Sequence, residues 1–156
     1  MQATSLKPLS GVRILVTRPI EQAEVLAEKL RGLGATTIEL PTIQIVPPSS
    51  SRAFDTAASS LGDYDWVIFT SVYGVRFFTK RMAELGIPIP LLKKVKVAAI
   101  GPATAAEVER SGKTPDYMPD EFLSEKIVEG LGEVKGKRIL LPRADIASKR
   151  LPSLLL

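Results

Sequence analysis

The chain has 156 residues, 45% of them apolar and 24% charged, which suits one globular domain or one domain plus part of another. It contains neither Cys nor His, which excludes a disulfide frame, thiolate chemistry and the commonest general base and metal ligand. The formal charge of +4 is spread along the chain without a run of five or six basic residues, so nucleic acid is not an expected partner; no apolar run reaches membrane-spanning length, and no membrane partner is expected either.

Residues 1–10 read as a tail without the apolar core of a signal peptide, and a cytoplasmic protein is expected. Arg13–Thr17 is the first predicted strand. Thr17-Arg18-Pro19 is a turn, with Pro19 suited to open a helix. That helix carries Ala23, Leu26, Ala27, Leu30 and Leu33 on one face and ends between Gly32 and Gly34. Thr36–Leu40 is a second strand, completing a β-α-β unit. Pro41–Ser51, with Pro47 and Pro48 followed by three serines, reads as a crossover or linker. A short helix over Arg52–Leu61 follows.

Trp66–Phe78 organises the rest. Trp66-Val67-Ile68-Phe69 is a continuous apolar run, the pattern of a strand buried on both faces. It stops on Thr70-Ser71, and Val75, Phe78, Met82 and Leu85 then recur at helical spacing after Gly74. A strand-turn-helix of this kind places the turn at the carboxyl end of an open sheet, where ligands bind. Hydroxyls and free backbone N–H groups at a helix start can hold an anion.

Lys94–Ile100 is the next strand, ending in Gly101-Pro102-Ala103-Thr104-Ala105, whose helix runs to about Ser111. Thr114–Pro119 is extended or a short edge strand. Phe122–Leu131 is helical, with Phe122, Ile127, Val128 and Leu131 as core positions. Arg138–Leu141 is the last strand, and Lys149–Leu156 begins a helix. Trp66, Phe69, Phe77 and Phe78 are expected in the core; Glu107, Glu109, Glu125 and Glu129 are expected on exposed helix faces. Strands alternating with helices predict an α/β fold with parallel sheets and helices on both faces.

Gly11–Arg18 and Gly136–Arg143 share Gly, Arg, Ile, Leu and a final Arg in register, and at the same offset Leu26 meets Leu151 and Leu30 meets Leu155. The first β-α-β unit therefore starts again at Gly136 and stops in mid-helix at Leu154-Leu155-Leu156, which leads us to expect a truncated chain.

Thr70–Phe78 (T-S-x-x-G-V-x-x-F), Ala98–Ala105 (A-A-I-G-P-A-T-A), Gly136–Arg143 (G-K-R-I-L-L-P-R), Thr17–Pro19 and Pro115–Ser124 together resemble the uroporphyrinogen-III synthase (HemD) family. The resemblance covers nearly all of the chain after the tail. It implies a two-lobe architecture with flavodoxin-like parallel sheets, of which only part is present: residues 1–41 as the first unit of lobe 1, 42–51 as the crossover, and 52–156 as a truncated lobe 2. It implies a hydro-lyase that cyclises hydroxymethylbilane to uroporphyrinogen III, with loss of water and inversion of the last pyrrole. No metal and no organic cofactor are implied. The full-length protein is expected to be a monomer; the shorter chain is expected to expose apolar surface and self-associate.

Carried over residue by residue, Thr70 and Ser71 match the family's cleft-facing hydroxyl pair, and Thr104 the threonine of the G-x-x-T-A turn with Gly101 allowing close approach. Arg18 and Arg143 sit in motif turns and could meet carboxylates. No catalytic residue is carried over. The family's tyrosine lies beyond Leu156, and Tyr64, Tyr73 and Tyr117 do not match it. Each site residue also has a structural reading: Thr70 and Ser71 as a helix cap, Thr104 as a first-turn residue bonded locally, Gly101 as turn chemistry, Arg18 and Arg143 as solvated charges. A flavodoxin- or receiver-like module holding phosphate or flavin without catalysis is the alternative from another class, and a half-domain that only dimerises is a third.

Overall fold

The structure is a computed structural model and describes residues 7–156. These divide into two compact units, one ending at Pro48 and the other starting at Ser49. All five strands described pair in parallel, two in the first unit and three in the second.

In the first unit β1 (Arg13–Val16) leads through α1 (Ile20–Gly32) to β2 (Thr36–Glu39). Ile14 and Val16 point to one side of β1 and pack against Ala23, Leu26, Ala27 and Leu30 of α1. The other face of the two-stranded sheet is open: Leu15 and Ile38, cross-strand partners, are 53% and 49% exposed. Leu33, expected on the buried stripe of α1, is exposed because the helix ends before it. Of the tail expected over residues 1–10, residues 1–6 lie outside those described. Residues 7–10 are not free: the Leu9 N–H donates to the Leu33 carbonyl at 2.9 Å, and Lys7 and Ser10 sit over Gly34. Gly34 has φ +98°, and a Cβ there would meet the Lys7 Cβ at 2.8 Å, so both backbone and space require glycine.

The second unit is a three-layer sandwich. Its sheet has the order β4-β3-β5, with β3 (Trp66–Phe69) in the centre between β4 (Lys96–Ala99) and β5 (Ile139–Leu140). Every residue of β3 is buried, as its unbroken apolar run requires. Alternation along the strand splits the core in two. Val67 and Phe69 join Val97 and Ala99 of β4 under α3 (Val72–Glu84) and α4 (Pro102–Arg110). Trp66 and Ile68 face the other way, with Ala98, onto α5 (Ser124–Leu131) and α6 (Arg150–Leu154). Phe78 is the hub of the first layer, edge-on to both Phe69 and Phe54 at centroid distances of 5.2 and 5.1 Å. Phe54 belongs to α2 (Arg52–Ser59), which ends earlier than expected; Leu61–Asp63 is a separate 3-10 turn.

Two sequence expectations are corrected here. Phe122 is not a core residue and not helical; α5 begins at Ser124, and Phe122 is 56% exposed. Glu107 is not on an exposed face. Its side chain is 13% exposed and receives Arg76 of α3 at both oxygens, from Nε at 3.0 Å and Nη2 at 3.3 Å. A fork-to-fork pair of this kind clamps α3 to α4. Arg81 does the same for α2, meeting both oxygens of Asp55 at 2.8 Å. Of the remaining expectations, Phe77 is half-buried, and Thr114–Pro119 holds a single parallel bridge between Tyr117 and Ala98.

Tyr117 lies across α5, where its hydroxyl donates to the Lys126 carbonyl at 2.9 Å. A Cβ on Gly130 would fall 1.8 Å from the ring carbon bearing that hydroxyl. Gly130→Ala is expected to expel the ring, break that hydrogen bond and cost about 1–3 kcal/mol, read as a lower midpoint in chemical denaturation. The carboxyls of Asp55 and Glu107 are both held below the ordinary carboxylate range, chiefly by their hydrogen bonds from Arg81 and Arg76. A lowered native value means that the unfolded chain takes up protons first. These pairs stabilise fully above the unfolded carboxylate value of about 4 and lose their contribution as pH falls below it. Asp55→Asn combined with Glu107→Gln should therefore flatten the acid limb of melting temperature against pH while lowering the neutral plateau.

Candidate functional site

The end of β3 determines the site. Phe69 and Ala99 are register partners at the last positions of β3 and β4, so the turns that follow leave the sheet side by side at its carboxyl edge. Thr70 and Ser71 form one turn; Ile100 and Gly101 form the other. The Ile100 N–H still donates to the Phe69 carbonyl at 2.9 Å, tying the two turns together.

Ser71 is extended, at φ −158° and ψ 153°, and its Oγ accepts the Gly74 N–H at 3.0 Å. It is the N-cap of α3, so the structural reading of that hydroxyl holds. Gly74 has a second constraint. A Cβ there would lie 2.8 Å from the Pro142 carbonyl, which brings the turn after β5 against the first turn of α3. Three strand ends thus meet at one edge. The motif spacing T-S-x-x-G contained this signal, because a glycine in a first helical turn costs helix propensity and needs a packing reason.

Gly101 stands before α4 with φ +84° and ψ 155°, a backbone region open essentially to glycine alone. Pro102 then takes the first helical position, where no N–H is needed. The peptide groups of this first turn have no intrahelical acceptor and direct their positive end out of the helix.

The six sequence-predicted site residues are not all brought together. Thr70, Ser71, Gly101 and Thr104 lie at the ends of adjacent strands. Thr104, however, is only 4% exposed. It is one helical turn from the buried Val108, so it sits on the stripe of α4 that faces the sheet, and its hydroxyl is not presented on an open rim. Arg143 follows β5 on the other side of β3; its Nη2 donates to the Ala147 carbonyl at 2.8 Å, so it braces its own loop. Arg18 belongs to the first unit, where it is exposed after β1.

Sequence reasoning missed two neighbours of this edge. Arg76 brings a guanidinium to the second turn of α3, where Glu107 binds it. Phe122 rests against Gly101: a Cβ there would be 3.8 Å from Cγ and Cδ1 of the ring. Among the described residues there is no cluster of His, Cys, Asp or Glu that could hold a metal ion and no helix long and apolar enough to cross a membrane.

Comparison with known proteins agrees with this architecture. The chain is 35% identical over 147 residues to the uroporphyrinogen-III synthase of Synechococcus elongatus, covering 92% of this chain and 54% of that protein. It is 33% identical over 151 residues to the porphyrin biosynthesis protein HemD of Ruminiclostridium josui, covering 96% of this chain and 30% of that one. A crystal structure of a mutant uroporphyrinogen III synthase from the extremely thermophilic bacterium Thermus thermophilus superposes with a TM-score of 0.70 at 20% identity, over 92% of this chain and 56% of that one; this likeness shows the fold. The chain thus spans about half the length of the Synechococcus and Thermus proteins. With the family model of uroporphyrinogen-III synthase HemD matched over residues 24–156, the chain belongs to that family.

Proposed function

We propose that this chain supplies the carboxylate-binding edge of a uroporphyrinogen-III synthase. The substrate is hydroxymethylbilane, a linear tetrapyrrole rich in carboxylates, and the reaction closes the ring with inversion of the last pyrrole and release of one water. The observation that carries the reading is the pairing of two helix starts at the ends of register-matched strands, one capped by Ser71 and one opened by Gly101.

The chemistry fits a site without His. Hydroxide leaves the substrate readily because the pyrrole nitrogen pushes electrons toward the hydroxymethyl carbon as its C–O bond breaks. The demanding part is to hold the chain so that the correct ends meet, which is positioning rather than strong acid–base catalysis. Carboxylate arms need N–H donors, hydroxyls and a positive field, and helix starts provide these. In this reading Thr70, half-buried beside the cap, presents its hydroxyl to a carboxylate. Ser71 fixes the start of α3 and contributes its hydroxyl proton. Thr104 sets the floor beneath the second turn, and its main-chain N–H rather than its enclosed hydroxyl faces the ligand. Arg143, in the turn after β5, acts through field strength.

Hydroxymethylbilane mixed with the chain, followed by separation of isomers I and III, tests the activity. An excess of isomer III over the spontaneous product supports it, and a product mixture identical to that without protein overturns catalysis by this length of chain. The binding edge is tested separately with uroporphyrin III, the stable oxidised product. Thr70→Val is expected to weaken its binding about tenfold or more, the loss of one hydrogen bond to a charged group, with the melting temperature nearly unchanged. Thr104→Val should leave affinity within about twofold, because a hydroxyl enclosed on the sheet-facing stripe of α4 does not reach the ligand. A Thr104→Val loss as large as that of Thr70→Val would show that the buried hydroxyl is used.

A further inference from the structure

We propose that Phe122 is the platform on which a pyrrole ring of the tetrapyrrole stacks, and so sets ring placement where the carboxylate-binding edge sets the arms. The proposal rests on the reading of that edge given above.

The exposure of Phe122 is built in rather than a consequence of a loose loop. The Leu123 N–H donates to the Glu121 carbonyl at 2.8 Å, an i to i+2 bond that puts Phe122 at the apex of a tight three-residue turn. The turn is anchored on both sides. Pro119 before it is fully buried, and Ile127 after it is 0% exposed, with its N–H donating to the Leu123 carbonyl at 3.2 Å. A large apolar side chain held 56% exposed at such a turn leaves apolar area in water that a ligand can cover.

Its position is specific. The Phe122 ring lies against Gly101, with Cγ and Cδ1 3.8 Å and Cδ2 4.0 Å from where a Cβ would stand. Gly101 is the glycine whose backbone opens α4, so the ring adjoins the second anion-holding turn. Its neighbours in sequence select what can sit there. Asp120 and Glu121 are exposed carboxylates, which repel the acetate and propionate arms of the substrate. A pyrrole ring carries no charge and offers an N–H donor at its edge. Phe122 therefore takes the ring while the helix starts of α3 and α4 take the arms.

The test is fluorescence titration of uroporphyrin III with the chain and with Phe122→Ala, Phe122→Tyr and Thr70→Val. Phe122→Ala is expected to weaken binding about tenfold, the usual loss for one stacked ring. Phe122→Tyr, which keeps the π-face, should bind within about twofold of the parent, and all variants should melt as the parent does. Thr70→Val losing affinity while Phe122→Ala keeps it would overturn the platform and leave the binding edge standing. Phe122→Tyr binding as weakly as Phe122→Ala would also overturn it, since stacking would then not be what the residue contributes. No binding of uroporphyrin III by the parent chain would overturn both readings.

Discussion

The second unit depends on one constraint, the complete enclosure of β3. Four consecutive apolar side chains leave no face for water. The strand's peptide groups must then be satisfied by strands on both sides, and its side chains by helices above and below. Burial of each large side chain is worth about 1.5–3 kcal/mol, so this short strand anchors both core layers. The same enclosure dictates where polarity returns. The chain cannot continue inward past Phe69, and the first groups able to meet water are Thr70 and Ser71. The position of this polar turn is in this sense a by-product of the burial that precedes it.

The paired helix starts are held by charge as well as by packing. Arg76 and Glu107 bridge α3 and α4 one turn in from the edge. Exposed ion pairs contribute little to stability, but this one is bidentate and its acid is mostly covered. Its effect is geometric: it limits how far the two helix starts can separate. Glu107 also receives Arg110, so the acid is fully engaged and does not compete for a ligand's partners. On the far side, the Pro142 carbonyl lodged over Gly74 sets the third strand end against the same turn. Three loops of different sequence are thus fixed by a fork, a cap and a missing side chain.

Strand positions were legible in the sequence because each strand is a short, mostly β-branched or apolar segment bounded by turn residues; Arg13–Val16, Thr36–Glu39 and Trp66–Phe69 fall within the predicted spans. Helix α3 was legible through the spacing of Val75, Phe78 and Met82, all of them buried. Phe122 was misread because local pattern cannot distinguish an aromatic that opens a helix into the core from one lifted out by a turn two residues earlier. The difference lies in a hydrogen bond between Glu121 and Leu123 and in the burial of Pro119. Glu107 was misread for a related reason. Helical position marks the outer face of an isolated helix, and only the approach of α3 makes that face an interface. Thr104 shows the limit of motif transfer: the motif gives its place in the first turn of α4, but whether that place looks up at the rim or down at the sheet is decided by packing with Val108.

Trp66 is the only tryptophan in the chain, and it is 8% exposed beneath the Lys96 ammonium, which lies 5.4 Å from its ring. Every tyrosine and phenylalanine also falls after residue 48, so the first unit carries no aromatic ring at all. Intrinsic emission and near-ultraviolet dichroism therefore report the larger unit alone. No aromatic signal originates in the smaller one, so its folding is followed through the absorption of its peptide bonds.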